Sequence, residues 1–197
     1  MAVKAGRHQL GTDRARIVLH TFRDGLAAQA GHDLTIEVGW WSGELTLNDD
    51  LSPAALDVKV DMSSLIVREG TGGLKPLSDR DRREIAVNAR KTLAADRHPE
   101  ATFTAAEFQP GADGGGVIKG TLTLAGEARP LSLRVSQTGP DRYHATGQVV
   151  QSQHGIKPYS GFLGALRVRD AVDVDAEVDL SEPAGATGAT GATGAPA

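Results

Sequence analysis

Between Val117 and Val135 the chain reads VIKGTLTLAGEARPLSLRV. Ile118, Leu122 and Leu124 share one phase of a two-residue alternation, and Leu131, Leu133 and Val135 share one phase of a second, after a break at Ala125 to Pro130. A strand side chain changes face at every residue, so each arm has one apolar and one polar face. Burying both apolar faces fixes the register of a β-hairpin. Two strands do not stay folded alone in water, so this stretch requires further one-sided strands beside it.

The rest of the chain supplies them. Arg16 to Phe22 reads as a strand ended by Asp24-Gly25. In Gly31 to Leu47, Leu34, Ile36, Val38 and Trp40 share one phase while Leu45 and Leu47 share the other. A slip near Trp41 to Gly43, with glycines on either side of two tryptophans, predicts a bulge that curls the sheet. Leu56, Val58, Val60 and Met62 alternate with charged residues, as do Val172, Val174, Ala176, Val178 and Leu180. Ala101, Phe103 and Ala105, and then Tyr143, Ala145, Gly147 and Val149, give two further strands. The long interruption is Arg68 to Asp96: a glycine-rich loop from Glu69 to Pro76, then a helix over Ser78 to Ala95. Ser78 and Asp81 resemble a capping box there, and Ile85, Ala89 and Leu93 form a narrow apolar stripe. That stripe must lie against the sheet or cover one end of it.

Seven or eight one-sided strands with short turns favour an all-β antiparallel barrel over a parallel α/β fold. About eight strands leave an interior wide enough for one small or elongated apolar ligand, and Gly120 and Gly147 in the inward phases are expected to leave room. The domain is expected to span residues 15–181. A flexible lead or loose first edge (1–14) precedes it, and a disordered tail (182–197), built largely of Gly-Ala-Thr triplets from Gly185, follows.

Composition removes several functions. There is no cysteine, which excludes disulfides, thiolate metal sites and thiol nucleophiles. A net charge of -4 without a clustered basic footprint argues against a nucleic-acid partner. No apolar run reaches the length of a signal peptide or a transmembrane segment, so a cytoplasmic protein is expected. His32, His98 and His154 lack ligand spacing, and Ser160 has no nucleophile-elbow context. We therefore expect no metal, no cofactor and no catalytic constellation.

Four motifs in order carry a resemblance: GHDLTIEV at Gly31 to Val38, HPEATF at His98 to Phe103, GTLTLAGEARPLSLRV at Gly120 to Val135, and HGIKPYSGFLGALRVRDAVDV at His154 to Val174. Together they resemble the YceI-like domain family from about Arg16 to Leu180. The chain departs from the family pattern in carrying Gln153-His154 where an acidic residue and an aromatic are expected. The resemblance implies an extended, lipocalin-like, eight-stranded antiparallel β-barrel with one helix near its mouth. Its lumen would hold a polyisoprenoid or another fatty amphiphile, for carriage or storage. Ile36, Val38, Trp40, Phe103, Leu122, Leu124, Ile156 and Phe162 are then expected to line the lumen, the alternative being that they fill a closed core. His32, Arg83, Lys157 and Tyr159 are candidates for the head group, and the Gly70 to Gly73 loop would offer backbone amides to a phosphate. The other readings are an enzyme acting on such lipids, which requires a polar pair with displaced pKa values inside the lumen, and a ligand-free interaction module. The reading also admits a homodimer.

Overall fold

The computed structural model describes residues 3–111 and 114–181, so the Gly-Ala-Thr tail expected at 182–197 lies outside the described residues. The hairpin that organises the chain pairs β9 (Gly116–Leu124) with β10 (Glu127–Gly139), placing Ile118 opposite Leu133 and Gly120 opposite Leu131. Its break is shorter than expected. Ala125 and Gly126 alone make the turn, both with positive φ (52° and 83°), as a two-residue hairpin turn matched to strand twist requires. Pro130 therefore lies inside β10. It is tolerated because residues 127–133 pair with β9 alone, so the missing N–H breaks no second ladder.

The other elements of the main sheet are β1 (Gly6–Gly11), β2 (Ala15–Thr21), β4 (Asp33–Val38), β5 (Trp41–Leu47), β6 (Pro53–Asp61), β7 (Leu65–Thr71), β8 (Glu100–Pro110), β11 (Arg142–Val150) and β14 (Ala171–Asp179). They form one strongly curled antiparallel sheet in the order β1-β5-β6-β8-β9-β10-β11-β14-β2-β4-β7. A small three-stranded sheet of β12 (Ser160–Gly161), β13 (Leu166–Val168) and β3 (Arg23–Asp24) stands beside it. One helix, α1 (Asp79–Thr92), packs on β7. Both bonds of its capping box are present: Ser78 Oγ accepts from the Asp81 N–H, and the Asp81 carboxylate accepts from the Ser78 N–H. Ile85, Ala89 and Leu93 pack against the core, as the stripe predicts.

Two sequence expectations are corrected here and a third is resolved. Of the two readings of residues 1–14, a flexible lead or a loose first edge, residues 6–11 take the second and form an edge strand. Gly6 to Gly11 pair with Leu47 to Ser42, and only Leu10 is buried, so an edge strand held by its backbone ladder leaves no alternation to read. The glycine-rich loop begins later than expected, because Glu69 to Thr71 still pair with β4. The phase slip comes earlier than Trp41. Gly39 and Trp40 form the bulge between β4 and β5: the Gly39 N–H donates to the Ser64 carbonyl and the Trp40 N–H to Ser64 Oγ, each at 2.9 Å. A Cβ at Gly39 would lie 2.5 Å from the Ser64 oxygen, so only glycine fits that approach. The inward set Leu34, Ile36, Val38 resumes at Trp41, not at Trp40. Trp40 is thrown outward and is 61% exposed, while Trp41 is buried.

Candidate functional site

The concave face of the sheet encloses a cavity of about 1020 Å³. Its wall is built from the inward phases: Ile36, Val38 and Trp41 from β4 and β5, Val58 from β6, Phe103 from β8, Ile118, Leu122 and Leu124 from β9, Leu131 and Leu133 from β10, and Ala145 and Val174 from β11 and β14. Among the described residues no large side chain is completely enclosed: the inward side chains pack on one another along the wall and also border this space. The hairpin ends around Leu51 to Pro53, Gly114 to Gly116 and Asp141 form one rim. The other is made of Arg23, Ala30 to His32, Tyr159 and Leu166 to Val168, with Ile85, Asn88, Ala89 and Thr92 of α1.

Of the residues expected to line a lumen, Ile36, Val38, Phe103, Leu122 and Leu124 lie in the wall. Ile156 is buried but outside the wall. It packs with Met62, Ala95, Ala101 and Leu124 in a second cluster, where the end of the helix segment meets the 151–156 turn. Trp40 and Phe162 do not line the cavity. Trp40 is displaced by the bulge, and Phe162 is 70% exposed in a turn where it adopts φ 48°. Gly120 and Gly147 do not leave room either: a Cβ at Gly120 would lie 2.7 Å from Phe103 Cζ, and one at Gly147 would lie 2.6 Å from Leu133 Cδ2. Large neighbours occupy the space the glycines vacate. The free volume lies elsewhere along the wall.

The head-group candidates separate. His32 and Tyr159 stand at the rim, whereas Arg83 on α1 and Lys157 are exposed and outside the cavity wall. The rim also contains Arg23, which nothing in the sequence pattern singled out. Its backbone N–H donates to Asp33 Oδ1 and its guanidinium Nη1 to the Gly31 carbonyl, both at 2.9 Å. The glycine-rich loop wraps these two side chains closely. A Cβ on Gly72 would overlap the Arg23 guanidinium, and one on Gly73 would lie 2.4 Å from His32 Nε2, which is 2.8 Å from the Lys75 carbonyl oxygen. The glycines are thus required by side chains of this chain pressing on the loop. Two polar groups line the wall without a partner among the described residues, the Trp41 indole Nε1 and the Thr21 hydroxyl. The tryptophan pair signalled Trp41 once the slip is placed at Gly39; Thr21 carried no signal.

Away from the two rims, charge is kept outside the cavity. Across the outer faces of β11 and β14, His144 Nε2 lies 2.8 Å from Asp175 Oδ2, Gln148 donates to Asp173 at 2.9 Å, and Arg142 donates to Asp179 at 3.1 Å. Hydrogen bonds from Arg68 and then Arg16 hold the Glu37 carboxyl below the usual carboxylate range. Hydrogen bonds from Ser63, Lys119 and Ser181 do the same for Asp61, Glu107 and Asp179. None of these four carboxylates belongs to the cavity wall. His154 is buried with Nδ1 2.9 Å from the Glu127 carbonyl oxygen, and His98 packs over Gly126. Among the described residues no group of three or more His, Asp or Glu side chains is arranged to hold a metal ion. No helix there is long and apolar enough to cross a membrane.

Comparison with known proteins gives a family. The family model of the YceI-like domain matches residues 20–180. The fold is similar to that of Burkholderia cenocepacia BcnA, at TM-score 0.58 and 15% identity over 83% of this chain and 94% of that one. It is also similar to a polyisoprenoid binding domain from Saccharophagus degradans implicated in plant cell wall breakdown, at TM-score 0.55 and 12% identity over 89% and 97%. A third similar structure is the Campylobacter jejuni YceI protein, at TM-score 0.54 and 16% identity over 70% and 78%. No curated protein matches the sequence.

Proposed function

Because the chain belongs to the YceI-like domain family, we propose that it binds a polyisoprenoid or related long-chain amphiphile in its apolar cavity and carries or stores it without transforming it. The observation that carries this reading is the cavity of about 1020 Å³, walled by Val, Leu, Ile, Ala and aromatic side chains. Each methylene transferred from water into such a wall contributes about 0.8 kcal/mol, so several isoprene units bind firmly without any specific hydrogen bond. The similar Saccharophagus degradans domain, described as polyisoprenoid binding, points the same way.

In this reading the curled sheet closes into a barrel of eight bent strands. β1 continues into β2 after residues 12–14, β4 into β5 after 39–40, and β6 into β7 after 62–64. Counting each pair as one strand joins the two ends of the strand order, since β6 pairs with β8 and β2 with β14. The amphiphile's polar end lies at the rim near Arg23, His32 and Tyr159, and its hydrocarbon chain runs along the apolar wall. An enzyme acting on the same lipid would need a titratable pair with displaced pKa values inside the cavity, and the displaced carboxylates described above lie outside the wall. Mass spectrometry of lipids extracted from the purified protein tests the proposal. A stoichiometric long-chain amphiphile is expected, and protein that yields none and takes up no fluorescent long-chain probe would refute it.

A further inference from the structure

The second rim carries large apolar side chains that no described residue covers. Leu26 and Leu163 are fully exposed, and Phe162 is 70% exposed. They belong to adjoining loops. The Ala27 N–H donates to the Ala165 carbonyl at 2.9 Å, and Gly25 lies so close to that carbonyl that a Cβ would come within 2.4 Å of it. Leu26 is therefore held between two residues that touch Ala165, three positions from Phe162. Leu74, also exposed, stands on the glycine-rich loop that wraps Arg23 and His32. The same segment lines the cavity from its inner side through Tyr159, Leu166 and Arg167.

Two further features mark this tip. Phe162 and Leu163 both hold positive φ, 48° and 54°, a conformation that bulky side chains rarely adopt, so folding spends strain to turn them toward water. The charge of the segment also opposes that of the chain. From Gln153 to Arg169 there are three cations, Lys157, Arg167 and Arg169, and no carboxylate; the adjoining Leu26 loop adds Arg23 and Asp24, the latter opposite Arg167, so the two loops together carry four cations and one carboxylate on a protein of net charge -4. Apolar side chains projecting from a cationic loop match an anionic lipid surface, with the side chains entering the headgroup boundary and the cations meeting lipid phosphates.

We propose that this tip, formed by Leu26, Phe162 and Leu163 with Lys157, Arg167 and Arg169, docks the protein on an anionic lipid bilayer with the cavity rim facing the membrane. The inference extends the carrier reading but is tested separately from it. Flotation with phosphatidylcholine vesicles containing phosphatidylglycerol should recover the full chain with the vesicles, and added salt or omission of phosphatidylglycerol should weaken recovery. The triple variant Leu26→Ser, Phe162→Asn, Leu163→Asn should bind these vesicles about tenfold or more weakly. Asparagine accepts positive φ readily, so the variant should keep or raise the parent melting temperature and take up a soluble fluorescent amphiphile as the parent does. A parent that does not float, or a variant that floats equally well, overturns the proposal while leaving uptake intact. So does a parent that dimerises through the tip, the same substitutions restoring the monomer, without binding vesicles.

Discussion

The protein uses the same side chains in two opposite ways. At one end of the cavity, Ala95 and Ile156 close over Met62, Ala101 and Leu124 of its wall, under the 151–156 turn. Along the rest of the concave face, Ile36, Val58, Ile118, Leu133 and Val174 are equally apolar but face a cavity of about 1020 Å³. Residue type does not separate the two regions. What separates them is an extra layer: Ala95 beyond the helix and Ile156 beyond β11 fill one region, and among the described residues no element crosses the other. A packed core and a hollow one therefore differ here in what the connections deliver.

The sharpest way to break that comparison is one substitution made in both places. Ile156→Ala should cost about 3 kcal/mol, since it removes packed methyl groups and opens a new cavity. Ile118→Ala, where free space already exists, should cost about 1 kcal/mol. Urea midpoints measure both, and equal losses would mean that the cavity is filled by the protein itself. Added bulk tests the reverse. Gly147→Leu collides with Leu133 and should lose about 1 to 3 kcal/mol. Ala145→Phe, two residues away in the same wall, should keep its melting temperature and lose uptake of a fluorescent amphiphile.

A smaller effect is expected on the outer face, where Arg68 bonds both oxygens of Glu37 and Arg16 bonds one. The folded pKa of Glu37 lies below its usual 4.5, so its stabilisation is present above that value and is lost as pH falls through the folded pKa. Solvent around the half-exposed arginines limits it to about 0.5 to 1 kcal/mol. Glu37→Gln should therefore be less stable than the parent at neutral pH and equal to it in acid, as followed by thermal melts across pH. The smallest effect is expected at Trp40, whose replacement by alanine should shift stability by less than about 0.5 kcal/mol. A large loss there would show that the outward indole is buried in an assembly.

The strands were legible wherever one face alone is buried. The alternation in residues 117–135 and 172–180, and the Ser78–Asp81 capping box, could be read because each side chain reports its own environment. Three features could not be read that way. The edge strand β1 rests on backbone pairing and a single buried Leu10. The bulge at Gly39-Trp40 moves the phase by one residue, and adjacent tryptophans leave two placements that only the Ser64 contacts distinguish. The glycines at positions 120 and 147 look like room in the sequence, yet Phe103 and Leu133 from neighbouring strands fill it. At the rim, Arg23 is held beside His32 by its bonds to the Gly31 carbonyl and the Asp33 carboxylate, while its backbone pairs with Val168 of β13, far along the chain.

The first half of β10 has further consequences for how the protein behaves in a crowded solution. Residues 127–133 pair with β9 on one side only, which would ordinarily invite strand addition from a second molecule and the growth of aggregates. Pro130 removes an N–H from that side. The Glu127 carbonyl is engaged by His154 Nδ1 at 2.9 Å, and Arg129 Nε donates to the Gln153 carbonyl at 2.8 Å. The 151–154 turn thus blocks the template at its start. An incoming strand would have to displace a buried histidine before it found its first hydrogen bond.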